Sequence, residues 1–293
     1  MNPVTTNAWL NAGNFFEHRG HRIFWRESGA PDAPVILLIH GFPTSSWDWE
    51  ALWPELAQRF RVVALDMIGF GFSDKPRDYE YSILDQADIH EALLRHCDVS
   101  AFHVLAHDYG DTVAQELLAR SLAPGQRPQL ASVCFLNGGL FPETHRPVLV
   151  QKLLLSALGP LIARLTSKRT LARSMARIFG PQTQPGGTVI DAFWQLMTLH
   201  DGLKILPLLI RYMPERRLRR ERWVGALQQA RVPLKLIDGV YDPISGAHMV
   251  ERYRELIADP DVTELPGIGH YPQVEAPASV LAAYLKFRQR LLR

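Results

Sequence analysis

Cysteine is scarce in this sequence. Cys97 and Cys134 are the only two among 293 residues, and both lie in apolar periodic segments. That excludes a disulfide framework and suits a reducing compartment, so a cytoplasmic location is expected. Long apolar runs are missing as well. The most membrane-like stretch, LLLSALGPLIA at 153–163, is bracketed by Lys152 and Arg164. It is too short to cross a bilayer, which takes about 20 residues. A cap or core helix is the expected reading, a helix touching a membrane surface is the minority one, and stable membrane insertion is not expected. The first thirty residues have no basic start followed by an unbroken apolar run, so no secretory signal is expected. Neither sign of charge dominates. With 32 Lys and Arg against 30 Asp and Glu the formal net charge is +2, too small to make nucleic acid a main partner. The glycines of GFGFSD (69–74) do not open a helix after a strand in the spacing of a dinucleotide fingerprint. His103 and His107 share a strand face, but a metal site needs more ligands, and they read as packing. No metal and no cofactor is expected.

What remains is an ordinary globular composition, 47% hydrophobic and 21% charged, with a clear alternation of elements. PVILLIHG (34–41), RVVALDM (61–67), FHVLAHD (102–108), SVCFLNG (132–138) and PLKLIDG (233–239) are nearly continuous apolar runs. Such runs predict buried, largely parallel strands covered on both faces. A further strand is expected near 261–266 and a hairpin over 14–28. Helical patterns fall near 46–58, 83–96 and 110–121, and the last helix carries a stripe of Val280, Tyr284, Phe287 and Leu291. Between about 140 and 225 there is no convincing strand, only helical stretches interrupted by FGPQTQPGG (179–187). The expected organisation is an α/β core over 1–139 and 226–293. A helical cap over 140–225 is inserted after the strand ending near Leu136, above the carboxyl edge where α/β sheets bind ligands.

Three fragments at predicted strand ends carry chemistry. In LAHDYGD (105–111), Asp108 occupies the strand–turn–helix junction where many hydrolases place a serine; Asp242 follows in GVYDPIS, and His270 in GIGHYPQVEAP. The chain order nucleophile, acid, histidine is that of a hydrolase triad. HGFP (40–43) follows another strand, and the backbone N–H groups of Phe42 and Tyr109 are the expected oxyanion-hole donors. Asp111 is expected to stabilise the helix dipole. The aspartate has a chemical meaning. A carboxylate is already an anion at neutral pH and attacks a saturated carbon without a base, forming an alkyl–enzyme ester. His270, held by Asp242, is then free to activate water against that ester.

HGFPTSSWDW, ALDMIGFGFSDKP, AHDYGDTVAQELL and GHYPQVEAP together resemble the epoxide hydrolase and haloalkane dehalogenase branch of the α/β-hydrolase superfamily. More closely, LNGGLFPETHRPVL and RRERWVGAL look like the mesoderm-specific transcript subfamily of epoxide-hydrolase-like proteins. The likeness spans roughly 20–290. It implies the α/β-hydrolase fold, with a small apolar substrate and water as the partners. Dehalogenases of this kind cradle the halide with a tryptophan after the nucleophile and a second N–H side chain; here Tyr109 and Phe42 stand at those positions, and Trp47, Trp49 and Trp194 are the remaining candidates. Similar epoxide hydrolases use cap tyrosines to receive the opened oxygen, and Tyr212 in LIRYMPE is the cap's one tyrosine, with His145 or Glu143 as alternative donors. Asn137 stands where some dehalogenases carry the acid, and a neutral amide cannot play that part, which favours Asp242. The residues expected to contact substrate are His40, Pro43, His107, Phe141 and Trp194. The basic run Arg216 to Arg222 is expected to be a solvated cap face. Epoxide hydrolysis to a diol is the first expectation and haloalkane dehalogenation the second. A non-catalytic binding module is the reading from another class, opposed by the complete Asp108, Asp242 and His270 set.

Overall fold

Runs of Val, Ile and Leu with both faces apolar have to be covered on both sides, and the chain builds a sheet that meets that demand. The computed structural model describes residues 4–125 and 128–291. Its strands are β1 (Asn14–His18), β2 (His21–Ser28), β3 (Val35–Ile39), β4 (Arg61–Leu65), β5 (Ala101–His107), β6 (Gln129–Leu136), β7 (Leu234–Gly239) and β8 (Val262–Leu265). Among the described residues they form one eight-stranded sheet in the order β1-β2-β4-β3-β5-β6-β7-β8. The β1–β2 and β2–β4 pairs are antiparallel and every pair from β4 to β8 is parallel. This is the mostly parallel sheet that the apolar runs predict.

Register places the site. Ile39 of β3 pairs with Ala106 of β5, so the 40–43 loop leaves the sheet beside Asp108. Leu136 of β6 pairs with Ile237 of β7, which sets Asn137 next to Gly239 and the turn carrying Asp242. The helix Tyr109–Ser121 is buried over its first ten residues, covered by the helices Ile83–His96 and Arg220–Gln228. In the last helix, Pro277–Arg290, the stripe of Val280, Tyr284 and Phe287 is buried as expected.

One helix differs from expectation. The segment 46–58 is not continuous but a 3-10 turn, Ser46–Trp49, followed by a short helix, Trp53–Ala57. Pro54 is the cause. It lacks an N–H and fits the first turn of a helix but not its interior, so the chain restarts there.

Between β6 and β7 the described residues are helical with no strand. The stretch 153–163 is divided between two helices, Leu149–Leu155 and Gly159–Leu165, the second opening on Pro160. Lys168–Ile178 follows, capped by Ser167 with Thr170. After 179–186 come Gly187–Thr198, the kinked turns of Leu199–Ile205, and the short helices Leu206–Leu209 and Tyr212–Leu218. No described helix is long and apolar enough to cross a membrane.

Candidate active site

The junction between β5 and the next helix is tight. Asp108 has φ 48° and ψ −107°, a conformation rarely used by residues with a side chain. Two residues on, a Cβ at Gly110 would lie 2.5 Å from the Ile39 carbonyl oxygen and 2.6 Å from that of His40. Only glycine lets the helix start this close to the neighbouring strand. The turn therefore holds the Asp108 carboxylate, buried, at the sheet's carboxyl edge.

The two carboxylate oxygens of Asp108 have different surroundings. Oδ2 accepts a hydrogen bond from the Phe42 N–H at 3.1 Å. Oδ1 lies 3.9 Å from His270 Nε2 and 3.9 Å from Arg216 Nη2. His270 Nδ1 is in turn 2.7 Å from Asp242 Oδ2. Asp242 is fixed by the N–H groups of Ile244 at 2.8 Å and Ser245 at 3.1 Å, and by the Asn137 amide at 3.2 Å. Asn137 also exchanges hydrogen bonds with the Gly239 backbone, donating to its carbonyl and accepting from its N–H. The amide thus steadies the acid.

Electrostatics follow from this packing. Burial alone would strip the proton from His270, but the Asp242 charge and hydrogen bond, helped by Asp108, outweigh it and raise the imidazole to about 9. Burial also disfavours the Asp242 anion, yet His270 and the donors around it pull the carboxyl below its ordinary range.

Tyr212 lies over this group. Its ring is 4.8 Å from that of Tyr109 and 6.1 Å from that of Phe42, and its buried hydroxyl has no hydrogen-bond partner among the described residues. Burial, then the Asp108 charge, push the phenol far above its ordinary value.

Arg216 corrects the expectation of a solvated basic face. It is 2% exposed. Its Nε donates to Thr112 Oγ1 at 2.6 Å and its Nη2 to the Asp108 carbonyl at 3.2 Å, while Nη1 has no hydrogen-bond partner among the described residues. The guanidinium sits 4.5 Å from the centre of the Tyr212 ring. One signal for it was present in the sequence: Arg216 is four residues from Tyr212, hence on the same helix face. Arg219, Arg220 and Arg222 do lie toward solvent, paired with Glu215, Glu143 and Glu116.

Other expected contacts are redistributed. His40 has both ring nitrogens engaged by the backbone; its Nδ1 meets the Gly41 carbonyl at 2.9 Å and its Nε2 accepts from the Met67 N–H at 3.1 Å. Buried in that role, it stays neutral, with its pKa lowered to about 3. His107 points at the His270 backbone carbonyl, 2.7 Å from Nε2, and so braces the histidine loop. His103 meets Ser132 Oγ at 2.8 Å, the packing role expected of it. Phe141 is buried near Tyr253, at 6.4 Å between ring centres. Trp194 is half-buried and lies outside the cavity wall. The Trp47 indole N–H is committed to the Val4 carbonyl, and Trp49 is buried away from the cavity wall. Glu143 is drawn out to Arg220 and Arg252. His145 is enclosed with neither ring nitrogen hydrogen-bonded among the described residues, and burial together with Arg216 lowers it to about 3. Asp111 is buried rather than simply helix-end, accepting from the Leu136 N–H.

Beside His270 opens a cavity of about 370 Å³. Phe42, Pro43, His270 and Tyr271 form its floor, and the helices of 149–178 its other wall, through apolar side chains such as Leu154, Ile162 and Met175. Of the residues expected to contact substrate, Pro43 lines this cavity.

Comparison with known proteins fits this architecture. A family model described as alpha/beta hydrolase fold matches residues 34–277. The mesoderm-specific transcript protein of Mus musculus is 43% identical over 293 residues, covering 96% of this chain and 87% of its own. Among solved structures, haloalkane dehalogenase DbeA from Bradyrhizobium elkani superposes with a TM-score of 0.79 at 22% identity, over 95% of this chain and 98% of its own. The epoxide hydrolase CorEH superposes with a TM-score of 0.75 at 19% identity, over 95% and 99%. At those identities the two structures share the fold.

Proposed function

The chain belongs to the α/β-hydrolase family, and from that premise we propose that it opens an epoxide through an ester on Asp108 and hydrolyses that ester to a diol. The observation that carries the reading is the asymmetry of the Asp108 carboxylate, one oxygen held by the Phe42 N–H and the other open towards His270. In the first step Oδ1 attacks an epoxide carbon. The carbon–oxygen bond breaks, its electron pair goes to the epoxide oxygen, and the Tyr212 O–H supplies the hydrogen bond and proton that this oxygen needs. Asp108 loses its charge as the ester forms. One influence holding the proton on His270 disappears, and the imidazole becomes available as a base. Neutral His270 takes a proton from water, and the hydroxide attacks the ester carbonyl. Oδ2 then carries the developing negative charge, with the N–H groups of Phe42 and Tyr109 as its donors. Collapse breaks the bond from the acyl carbon to Oδ1, which takes the proton held by His270 and leaves in the diol, while the water oxygen stays on Asp108 and its remaining proton returns to the Tyr212 oxygen.

A second reading, haloalkane dehalogenation, is favoured by one feature: the unpartnered Nη1 of Arg216 is an N–H near the nucleophile. Against it, the side chains of Tyr109 and Phe42 bring no N–H, and the Trp47 indole N–H is engaged elsewhere. The deciding experiment exposes His270→Gln to panels of epoxides and haloalkanes and weighs the intact protein. An epoxide adds its whole mass to Asp108, whereas a haloalkane adds the alkyl group without halide. Asp108→Asn is the control that takes no label. A folded His270→Gln variant that accumulates no adduct from either panel sinks both readings.

A further inference from the structure

The helices of 149–165 leave five leucines in the open. Leu149 is 67% exposed, Leu155 40%, Leu158 55%, Leu161 53% and Leu165 66%. Single exposed leucines are normal, but five within seventeen residues form an apolar surface that soluble proteins seldom leave bare. Leu158, Leu161 and Leu165 recur at three- and four-residue spacing and so line one side of Gly159–Leu165. Local charge is equally one-sided. From Thr144 to Ile190 there are seven cations, Arg146, Lys152, Arg164, Lys168, Arg169, Arg173 and Arg177, and no Asp or Glu, although the whole chain is nearly balanced. Among the described residues, Lys168 is the one of these that makes an ion pair, with Asp191. The helix Lys168–Ile178 buries Leu171, Met175 and Ile178 and turns its cations outward.

The same surface continues into the cavity: Leu165, Arg173 and Arg177 line it and are also exposed, so they mark its mouth. We propose that this face docks on an anionic lipid bilayer, with the leucines in the headgroup–acyl boundary and the unpaired cations on lipid phosphates. Both parts of an interfacial element are present, apolar side chains beside a cationic rim. A second copy of the chain is a poor occupant, because a two-fold contact would oppose like charges. The cavity's share in this, as an entrance for lipid-soluble substrate, rests on the hydrolase reading; the docking itself does not.

The test is co-sedimentation of the full chain with vesicles of phosphatidylcholine alone or of equimolar phosphatidylcholine and phosphatidylglycerol. The chain is expected to bind the anionic vesicles, to be released by salt, and to leave the neutral ones largely unbound. Leu158→Asp with Leu161→Asp, and separately Arg164→Glu with Arg169→Glu, should each lower the partition coefficient by about tenfold or more while melting as the wild type does. Failure of the wild type to bind anionic vesicles, or undiminished binding by both variants, overturns the proposal. So does a dimer in sedimentation velocity that the leucine variant abolishes without any vesicle binding. Vesicle binding needs no turnover, so its loss leaves the trapped-adduct test standing, and the reverse holds too.

Discussion

Tyr212 and His270 do opposite things with a proton, and each leads to a measurement. The Tyr212 hydroxyl is buried, unpartnered and held protonated by burial and Asp108, so it is poised to donate to an oxygen that becomes negative. Tyr212→Phe should therefore lower kcat for an epoxide by about 100-fold, in the range of losing one positioned donor, with a smaller effect on KM. Full turnover in that variant would remove the residue from the mechanism. His270 gains its proton on folding, from 6.5 to about 9. Its contribution is thus complete below about pH 6.5 and disappears as pH rises through about 9, worth about 3 kcal/mol over that span. The stability gap between wild type and His270→Gln in denaturant melts should narrow by that order from neutral to strongly alkaline pH; a constant gap would contradict the ion pair. The candidate residues Asp108, Asp242 and His270 were legible because each stands at or just after the end of a predicted strand and their chain order is informative. Arg216 was not, because burial of a charge depends on partners such as Thr112, 104 positions away. His40 and His107 were read as substrate contacts for a related reason, since sequence shows a histidine near the site but not where its nitrogens go.

At the scale of elements, the strands were readable because a run apolar on both faces has few other places to go. The segment 46–58 is helical as its pattern predicts, but in two pieces, because Pro54 fits the start of a helix and not its interior. The β5–helix junction gives the sharpest prediction at this level. An added methyl at Gly110 meets two backbone carbonyls, of Ile39 and His40, that belong to β3 and to the loop after it and cannot swing aside. Gly110→Ala should cost about 2–3 kcal/mol of stability, within the range of overpacking. It should also slow ester formation on Asp108, because the helix start and the nucleophile move together. Denaturant unfolding, paired with the rate of adduct appearance in the His270→Gln background, measures both. Wild-type values for both would mean the junction tolerates a side chain and the close approach has been misjudged.

Over the whole molecule, the structure keeps many titratable groups uncharged by burial, and they work against each other. Asp48, Asp111 and Asp238 are raised well above the carboxylate range by burial, so what they contribute by holding a proton is lost as pH rises. The histidines His40, His90 and His107 are lowered by burial, so their contribution is present above about pH 6.5 and lost as pH falls. The net acid response mixes both signs, and a single variant is needed to separate one term. His90 serves because it is fully buried in Ile83–His96, away from Asp108, with Nδ1 2.7 Å from the Gln86 carbonyl and Nε2 unpartnered. Burial brings it to about 4, with the Gln86 hydrogen bond pulling the other way. The unfolded chain therefore binds a proton at this position from about pH 6.5 downward while the folded chain does not. Between about pH 7 and 5 that difference removes about 2 kcal/mol. Glutamine in place of His90 has no such titration, so wild type should lose that much more stability than His90→Gln over the interval, whatever the two share at neutral pH. Parallel unfolding curves across the interval would show that His90 is reached by water or finds a partner for its second proton.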